Sequence, residues 1–180
     1  MRKEIHIRGL GGYSYDTGKT KIKKWIMENF SEDISILDIG CGEGGYYKLL
    51  QDTNFINRME AVEACVEGVE AWGIRNMYKE VHVTDIREFE FDHYDLIIMG
   101  DILEHLSVED AQKVLSYVLP RCNDIIVAVP YELPQGPLHK NEYEAHIQGD
   151  LTPENFLERY PDLEPVLIYK SYGYYHKKAR

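Results

Sequence analysis

Nine residues constrain this chain more than any others: Leu37-Asp38-Ile39-Gly40-Cys41-Gly42-Glu43-Gly44-Gly45. A short apolar strand runs into four glycines, and Tyr46, Leu49 and Leu50 follow at helical spacing. Glycines at a strand-to-helix turn let the backbone bend tightly and approach a ligand closely. Such a turn belongs to sheets in which strands and helices alternate, and the rest of the chain keeps that alternation.

A helix is predicted over residues 21–30, with Ile22, Trp25, Ile26 and Phe30 on one face. Strands are predicted over 34–39, 56–62, 81–83, 95–99 and 124–129, the last two continuous enough to be covered on both faces. Helices fall between them: one through Val66, Val69 and Trp72, and one capped by Ser107 and stopped at Pro120. Thr152-Pro153-Glu154 opens a further helix with proline at its first position. Leu167-Ile168-Tyr169 and Tyr174-Tyr175 read as a closing edge hairpin turning around Gly173. The order implies an α/β fold: a single-domain, doubly wound (Rossmann-like), mostly parallel sheet with helices on both faces and a C-terminal antiparallel hairpin. One domain is expected over 1–180. Residues 1–20 form an N-terminal lid segment in this reading, with Tyr13 and Tyr15 in it, and 130–150 a substrate lid. A sheet of this kind binds ligands beyond the carboxyl ends of its strands, where the strand order reverses.

Charge narrows the partners. The chain has 180 residues, 20 Lys plus Arg and 31 Asp plus Glu, for a net charge of −11. That balance repels phosphate backbones and anionic membranes, so neither nucleic acid nor a membrane is expected as a partner. No apolar run approaches the ~18 residues of a membrane span, and the first residues lack a signal-like apolar core. Cys41, Cys65 and Cys122 cannot all pair and lack metal spacing, which fits the cytoplasm.

The glycine turn suits two cofactors. Gly40, Gly42 and Gly45 satisfy the dinucleotide spacing G-x-G-x-x-G, with Glu63 near the distance expected of a ribose-binding acid. Asp38 argues for a cationic ligand. A carboxylate ~4 Å from a pyrophosphate in a partly buried site would be repelled by roughly 4 kcal/mol. S-adenosylmethionine, with an ammonium, a sulfonium and no phosphate, removes that conflict. Gly18-Lys19-Thr20 ends like a nucleoside-triphosphate loop, but five residues separate Gly12 from Gly18 where that loop needs four.

Over residues 20–130 the sequence resembles the class I S-adenosylmethionine-dependent methyltransferases. Leu37 to Gly45 resembles their cofactor loop, Glu60-Ala61-Val62-Glu63 the end of their second strand, and Val83-Thr84-Asp85-Ile86 their third-strand motif. The run from Tyr94 through Met99-Gly100-Asp101 to Leu103-Glu104-His105-Leu106 is similar to their fourth-strand motif. The resemblance implies S-adenosylmethionine as cofactor, held by Asp38, Gly40, Cys41, Gly42, Glu63, Ala64, Asp85, Ile86, Met99 and Gly100. Glu63 would take the ribose hydroxyls, Asp85 the adenine amino group, and the Ile86 N–H would face the ring.

Methyl transfer needs alignment of the nucleophile and, for a hydroxyl, removal of its proton. Asp101 and His105 follow the fourth strand, and His146 lies in the long segment after the fifth; these three are the candidate catalytic residues. His139, Glu144 and His146 match no standard metal spacing, so no metal is expected. The expected function is methyl transfer from S-adenosylmethionine to a small-molecule acceptor, at oxygen. The alternatives are a small NAD(P)-dependent oxidoreductase, for which no Tyr-x-x-x-Lys pair is found in the expected place, and a non-catalytic S-adenosylmethionine-binding protein. Oligomeric state and acceptor are not readable.

Overall fold

The core strands alternate their side chains between two helix layers, and this fixes where the glycine turn emerges. In the computed structural model, which describes residues 16–137 and 142–178, seven strands form one sheet. They are β1 (Ile36–Ile39), β2 (Met59–Glu63), β3 (Glu80–Val83), β4 (Tyr94–Gly100), β5 (Cys122–Pro130), β6 (Leu163–Ile168) and β7 (Tyr172–Lys177). Their spatial order is β3-β2-β1-β4-β5-β7-β6. The first five pair in parallel, whereas β7 is antiparallel to both β5 and β6.

Helices α1 (Lys19–Asn29), α2 (Gly45–Leu50) and α3 (Val66–Ala71) cover one face, α4 (Val108–Val118) and α5 (Pro153–Arg159) the other. Ile36, Leu96, Ile98 and Ile126 point to the first layer and pack on Ile22, Ile26 and Leu50. Leu37, Ile39, Ile97, Met99 and Val127 point to the second and pack on Val114, Leu115 and Val118. Both layers are predominantly apolar, as expected for parallel strands buried on two sides. No helix among the described residues is long and apolar enough to cross a membrane.

Winding runs outward in two directions from β1 and β4, which are neighbours with Ile39 opposite Met99. Gly40 and Gly100 therefore leave the sheet side by side at the point where strand order reverses.

Several expectations are met closely. Ser107 caps α4 by accepting from the Asp110 N–H at 3.0 Å. Thr152 caps α5 in a reciprocal box with Asn155. β1 begins at Ile36 rather than at residue 34, because Ser35 is held by Asp95, whose Oδ2 accepts from its backbone N–H and its hydroxyl, both at 2.8 Å.

The hairpin is different from the one expected. It turns at residues 169–171, and Gly173 lies inside β7, opposite Val129 and Ile168. A Cβ there would stand 1.7 Å from the Tyr131 hydroxyl, so the glycine serves a close approach and not a turn. β7 is also an interior strand. Tyr172 and Tyr174 fill one layer, and Tyr175 stacks on Phe156 in the other with ring centroids 3.9 Å apart. β6 is the edge.

Candidate active site

The glycine turn is built by three residues in the left-handed region: Gly40, Gly42 and Gly44, at φ of 65°, 50° and 80°. Close packing adds a second reason at Gly40, where a Cβ would lie 1.9 Å from Ile102 Cδ1. The ladder continues one step beyond β1, as Gly40 N–H donates to Val62 O at 2.8 Å. Glu63 then clasps the turn. Its Oε2 accepts from Gly42 N–H and its Oε1 from Cys65 N–H, each at 2.9 Å. One carboxylate thus ties the end of β2 to both the glycine turn and the start of α3.

Above the strand ends opens a cavity of about 850 Å³. Its wall includes Gly40, Cys41, Gly42, Glu63, Ala64, Asp85, Ile86 and Gly100, together with Asp101 and His105. Two expected cofactor residues lie elsewhere. Met99 is fully buried in the α4 layer, because the strand alternation that brings Gly100 to the wall turns Met99 into the core. Asp38 is 1 % exposed and outside the wall, one layer behind the turn, and accepts from the Tyr78 hydroxyl at 2.6 Å. Burial pushes its carboxyl up to about 7, with the charge of Glu63 acting in the same direction. Asp38 therefore acts on the cavity through wall residues such as Cys41 and Glu63 and does not itself line it.

Asp85 is already engaged. Its Oδ1 accepts from the Arg87 backbone N–H and Nε, both at 2.9 Å, and its Oδ2 from Arg87 Nη2 at 2.6 Å. The guanidinium holds this carboxyl below its ordinary range. Cys41 is inert by placement, since burial and the nearby Asp38 keep its thiol protonated.

On the far side of the switch point, Asp101 is a non-glycine residue at φ 58°. Its backbone N–H donates to Ala128 O at 2.9 Å, and its Oδ1 accepts from the Tyr172 hydroxyl at 2.8 Å. Aspartate tolerates this conformation better than most side chains, and such outliers cluster at functional sites. The turn after it, a 3-10 helix over Leu103–His105, is held by Gln148, which is 3 % exposed. Gln148 Nε2 donates to Leu103 O at 2.7 Å and Leu106 O at 3.0 Å. Its Oε1 accepts from Arg159 Nη1 at 3.1 Å and the Tyr160 hydroxyl at 2.9 Å. With these four bonds the amide is fully used.

The same segment carries His146, outside the cavity wall but with its ring 4.8 Å from that of His105 in an edge-on arrangement. His105 Nδ1 lies 3.1 Å from Ala145 O, and His146 Nδ1 lies 2.6 Å from Leu133 O. A carbonyl can only accept, so both Nδ1 atoms carry the proton and both Nε2 atoms present lone pairs. Burial, aided by His146, pushes the His105 imidazolium down to about 4, and burial lowers His146 as well.

Further residues of the site were not expected. Lys19, 8 % exposed, is in the wall, in an ion pair with Asp16 at 3.8 Å and 5.5 Å from the Tyr46 ring centroid. The Gly18-Lys19-Thr20 motif that had failed as a triphosphate loop was its only signal; Gly18 is instead the left-handed cap of α1. Tyr46 packs where a Cβ on Gly100 would be, and its hydroxyl is buried with no hydrogen-bond partner among the described residues. Trp72, Tyr143 and Ile147 complete apolar parts of the wall. Tyr13, Tyr15 and His139 lie outside the described residues.

Comparison with known proteins agrees with this geometry. A family profile described as a methyltransferase domain matches residues 16–122. The probable (S)-tetrahydroprotoberberine N-methyltransferase 2 of Papaver bracteatum is 34% identical over 80 residues, 40% of this chain. The match spans only 22% of that relative's length. An S-adenosylmethionine-dependent methyltransferase from Clostridium acetobutylicum superposes with a TM-score of 0.65 at 16% identity, covering 91% of this chain and 92% of that one. The N-methyltransferase NodS from Bradyrhizobium japonicum superposes with a TM-score of 0.64 at 13% identity, over 89% of this chain and 93% of its own. At these identities the superpositions speak for the fold, while the profile spans more than half of the chain from α1 to the start of β5. The chain belongs to the methyltransferase domain family.

Proposed function

We propose that this chain transfers a methyl group from S-adenosylmethionine to an oxygen of a small-molecule acceptor. The observation that carries this reading is the convergence of two sets of residues on one cavity. The glycine turn, Glu63 and Asp85 line one part of its wall, and Asp101 and His105 line another. Family membership favours S-adenosylmethionine over a dinucleotide. So does the charge of the wall, where the carboxylates of Asp16, Glu43, Glu63, Asp85, Asp101 and Glu144 outnumber Lys19, Lys48 and Arg87, a setting that favours a cationic ligand over a pyrophosphate. The buried Tyr46 hydroxyl, without a hydrogen-bond partner among the described residues, is a polar atom such a ligand would satisfy.

In this reading Glu63 receives the ribose hydroxyls on the lone pairs left by Gly42 and Cys65, and Lys19 faces the carboxylate of the methionine part. Asp85 and Ile86 border the adenine. S-adenosylmethionine supplies a methyl carbon already activated by the sulfonium. The protein's work is alignment and proton removal. His105 offers an Nε2 lone pair in the wall, oriented by the Ala145 carbonyl on its Nδ1 and packed against the His146 ring, and Asp101 is held in the same wall by Tyr172. Residues 142–150, tied to the 3-10 turn through Gln148 N–H to Glu104 O and to the stretch after β5 through His146 N–H to Gln135 O, both at 2.9 Å, close the acceptor side as a lid.

Calorimetric titration with S-adenosylmethionine, S-adenosylhomocysteine and NAD tests the cofactor. Micromolar binding of the two adenosyl ligands is expected, weakened about 10-fold or more by Glu63→Ala, with no heat from NAD. Binding of NAD alone would overturn the reading. His105→Ala, assayed once an acceptor is found, is expected to lose turnover while keeping its affinity for S-adenosylhomocysteine; unchanged turnover would remove His105 from the chemistry.

A further inference from the structure

Glu104 is the most demanding side chain in the molecule. It is 1 % exposed, and neither carboxylate oxygen has a hydrogen-bond partner among the described residues. A buried carboxylate in that state is costly unless it is neutralised or meets a cation. Its Oε1 stands 4.0 Å from His105 Nε2. Glu104, His105 and His146 each offer a ligand atom within 4.8 Å of the others.

We propose that Glu104, His105 and His146 bind a divalent first-row transition cation at the acceptor side of the cavity. The two imidazoles are already in the tautomer that ligation requires, because backbone carbonyls of Ala145 and Leu133 hold the Nδ1 protons. A backbone carbonyl behind a ligating histidine is the usual way of fixing ring orientation at metal sites. Around a tetrahedral ion with bonds of about 2.1 Å, ligand atoms stand about 3.4 Å apart. Small side-chain rotations of the half-buried His146 and of His105 close the remaining distance. Gln148 pins the turn that carries Glu104 and His105 to the segment that carries His146, so the three approach as one unit.

Local charge favours a cation. Asp101 and Glu144 both stand in the cavity wall and add negative charge on the side that His105 shares. Two nitrogens and one carboxylate oxygen select zinc, manganese, iron, cobalt or nickel over magnesium and calcium. Three protein ligands leave at least one position open, and His105 is in the cavity wall, so that position faces the acceptor. A bound oxygen there would have its proton acidified, so the cation would replace His105 as the means of proton removal, the Nε2 lone pair being used in ligation. The other cluster of this type, Glu60, Glu80 and His82, carries no such inference, since Glu60 is already bonded to Lys79 at 2.5 Å and to the Tyr94 hydroxyl at 2.8 Å.

The test is calorimetric titration of the chelator-stripped full chain with Zn²⁺ and, separately, Mg²⁺, for wild type, Glu104→Gln and His146→Ala. Affinity for S-adenosylhomocysteine, measured in the same samples, reports whether fold and cavity are intact. The expected result is one Zn²⁺ per chain at micromolar affinity or tighter, with Mg²⁺ far weaker. Each variant should lose about 100-fold or more in Zn²⁺ affinity. Should Glu104→Gln disturb the core, His146→Ala alone decides, since that ring is half-exposed. Millimolar or absent Zn²⁺ binding by the wild type, or Zn²⁺ binding that His146→Ala retains, would overturn the proposal. Zn²⁺ binding in a chain that ignores S-adenosylhomocysteine would uphold the metal site and overturn the methyl-transfer reading instead.

Discussion

Asp38 illustrates how a single side chain changes meaning once its register is known. Its carboxyl sits at about 7 in the folded chain against an ordinary 3.8, chiefly through burial. Between those values the native state holds a proton that the unfolded chain has lost, so raising the pH there lowers stability. Below about pH 4 the contribution is intact, and above about pH 7 it is gone. Three units correspond to about 4 kcal/mol as a ceiling. Asp38→Asn keeps an acceptor for Tyr78 and removes the titration. Denaturant unfolding of both proteins from pH 4 to pH 8 should therefore move their difference in the variant's favour, by up to that amount; a difference independent of pH would show that Asp38 is solvated. The residue type and its place before the glycines were legible, but not which way the side chain points. In β1 Asp38 alternates with Leu37 and Ile39, which face the α4 layer, so its carboxyl turns to the opposite layer, where the Tyr78 hydroxyl meets it. The core position of the Met99 side chain was hidden for a related reason: a strand of continuous apolar residues carries no alternation from which its two faces can be told apart.

At the level of elements, punctuation was readable and pairing was not. Thr152-Pro153 announces α5, and the structure supplies both halves of the box: Asn155 N–H to Thr152 Oγ1 at 3.2 Å and Thr152 N–H to Asn155 Oδ1 at 2.8 Å. Thr152→Ala should cost about 1 kcal/mol of stability, measured by chemical denaturation, with m unchanged. A cost near zero would mean that Pro153 alone sets the start of the helix. The last hairpin was misplaced because Gly173 looks like a turn residue when seen alone. Its purpose depends on Tyr131, 42 positions earlier in the chain, whose ring lies over it and whose hydroxyl bonds that of Tyr175. The segment 130–150 showed its density of titratable groups in the sequence. The role of Gln148 was hidden there, because a lone glutamine among charged residues has no periodicity to mark it.

For the whole molecule, a mostly parallel sheet follows from alternation and right-handed crossover, which is why the glycine turn, Glu63, Asp85 and Asp101 could be anticipated at the same end of it. Cavity and core are parts of one architecture, so filling the first should brace the second. At S-adenosylhomocysteine concentrations near 100 times Kd, linkage gives about 2.7 kcal/mol of added stability. For a chain of this size that is a rise in Tm of about 5–10 °C, read by differential scanning calorimetry. No shift at saturation would place the ligand outside the folded cavity.

The antiparallel strand at Tyr172–Lys177 has a consequence for synthesis. It lies between β5 and the edge strand, though it is the last of the seven in sequence. During translation β5 must wait with one hydrogen-bonding edge bare, and β6 has nothing to join until β7 emerges. An unpaired edge is where chains recruit one another, so a ribosome that stalls before Tyr172 would leave an aggregation-prone product. The same strand brings the hydroxyl that holds Asp101. The acceptor side of the cavity is thus among the last parts of this sheet to be put in place.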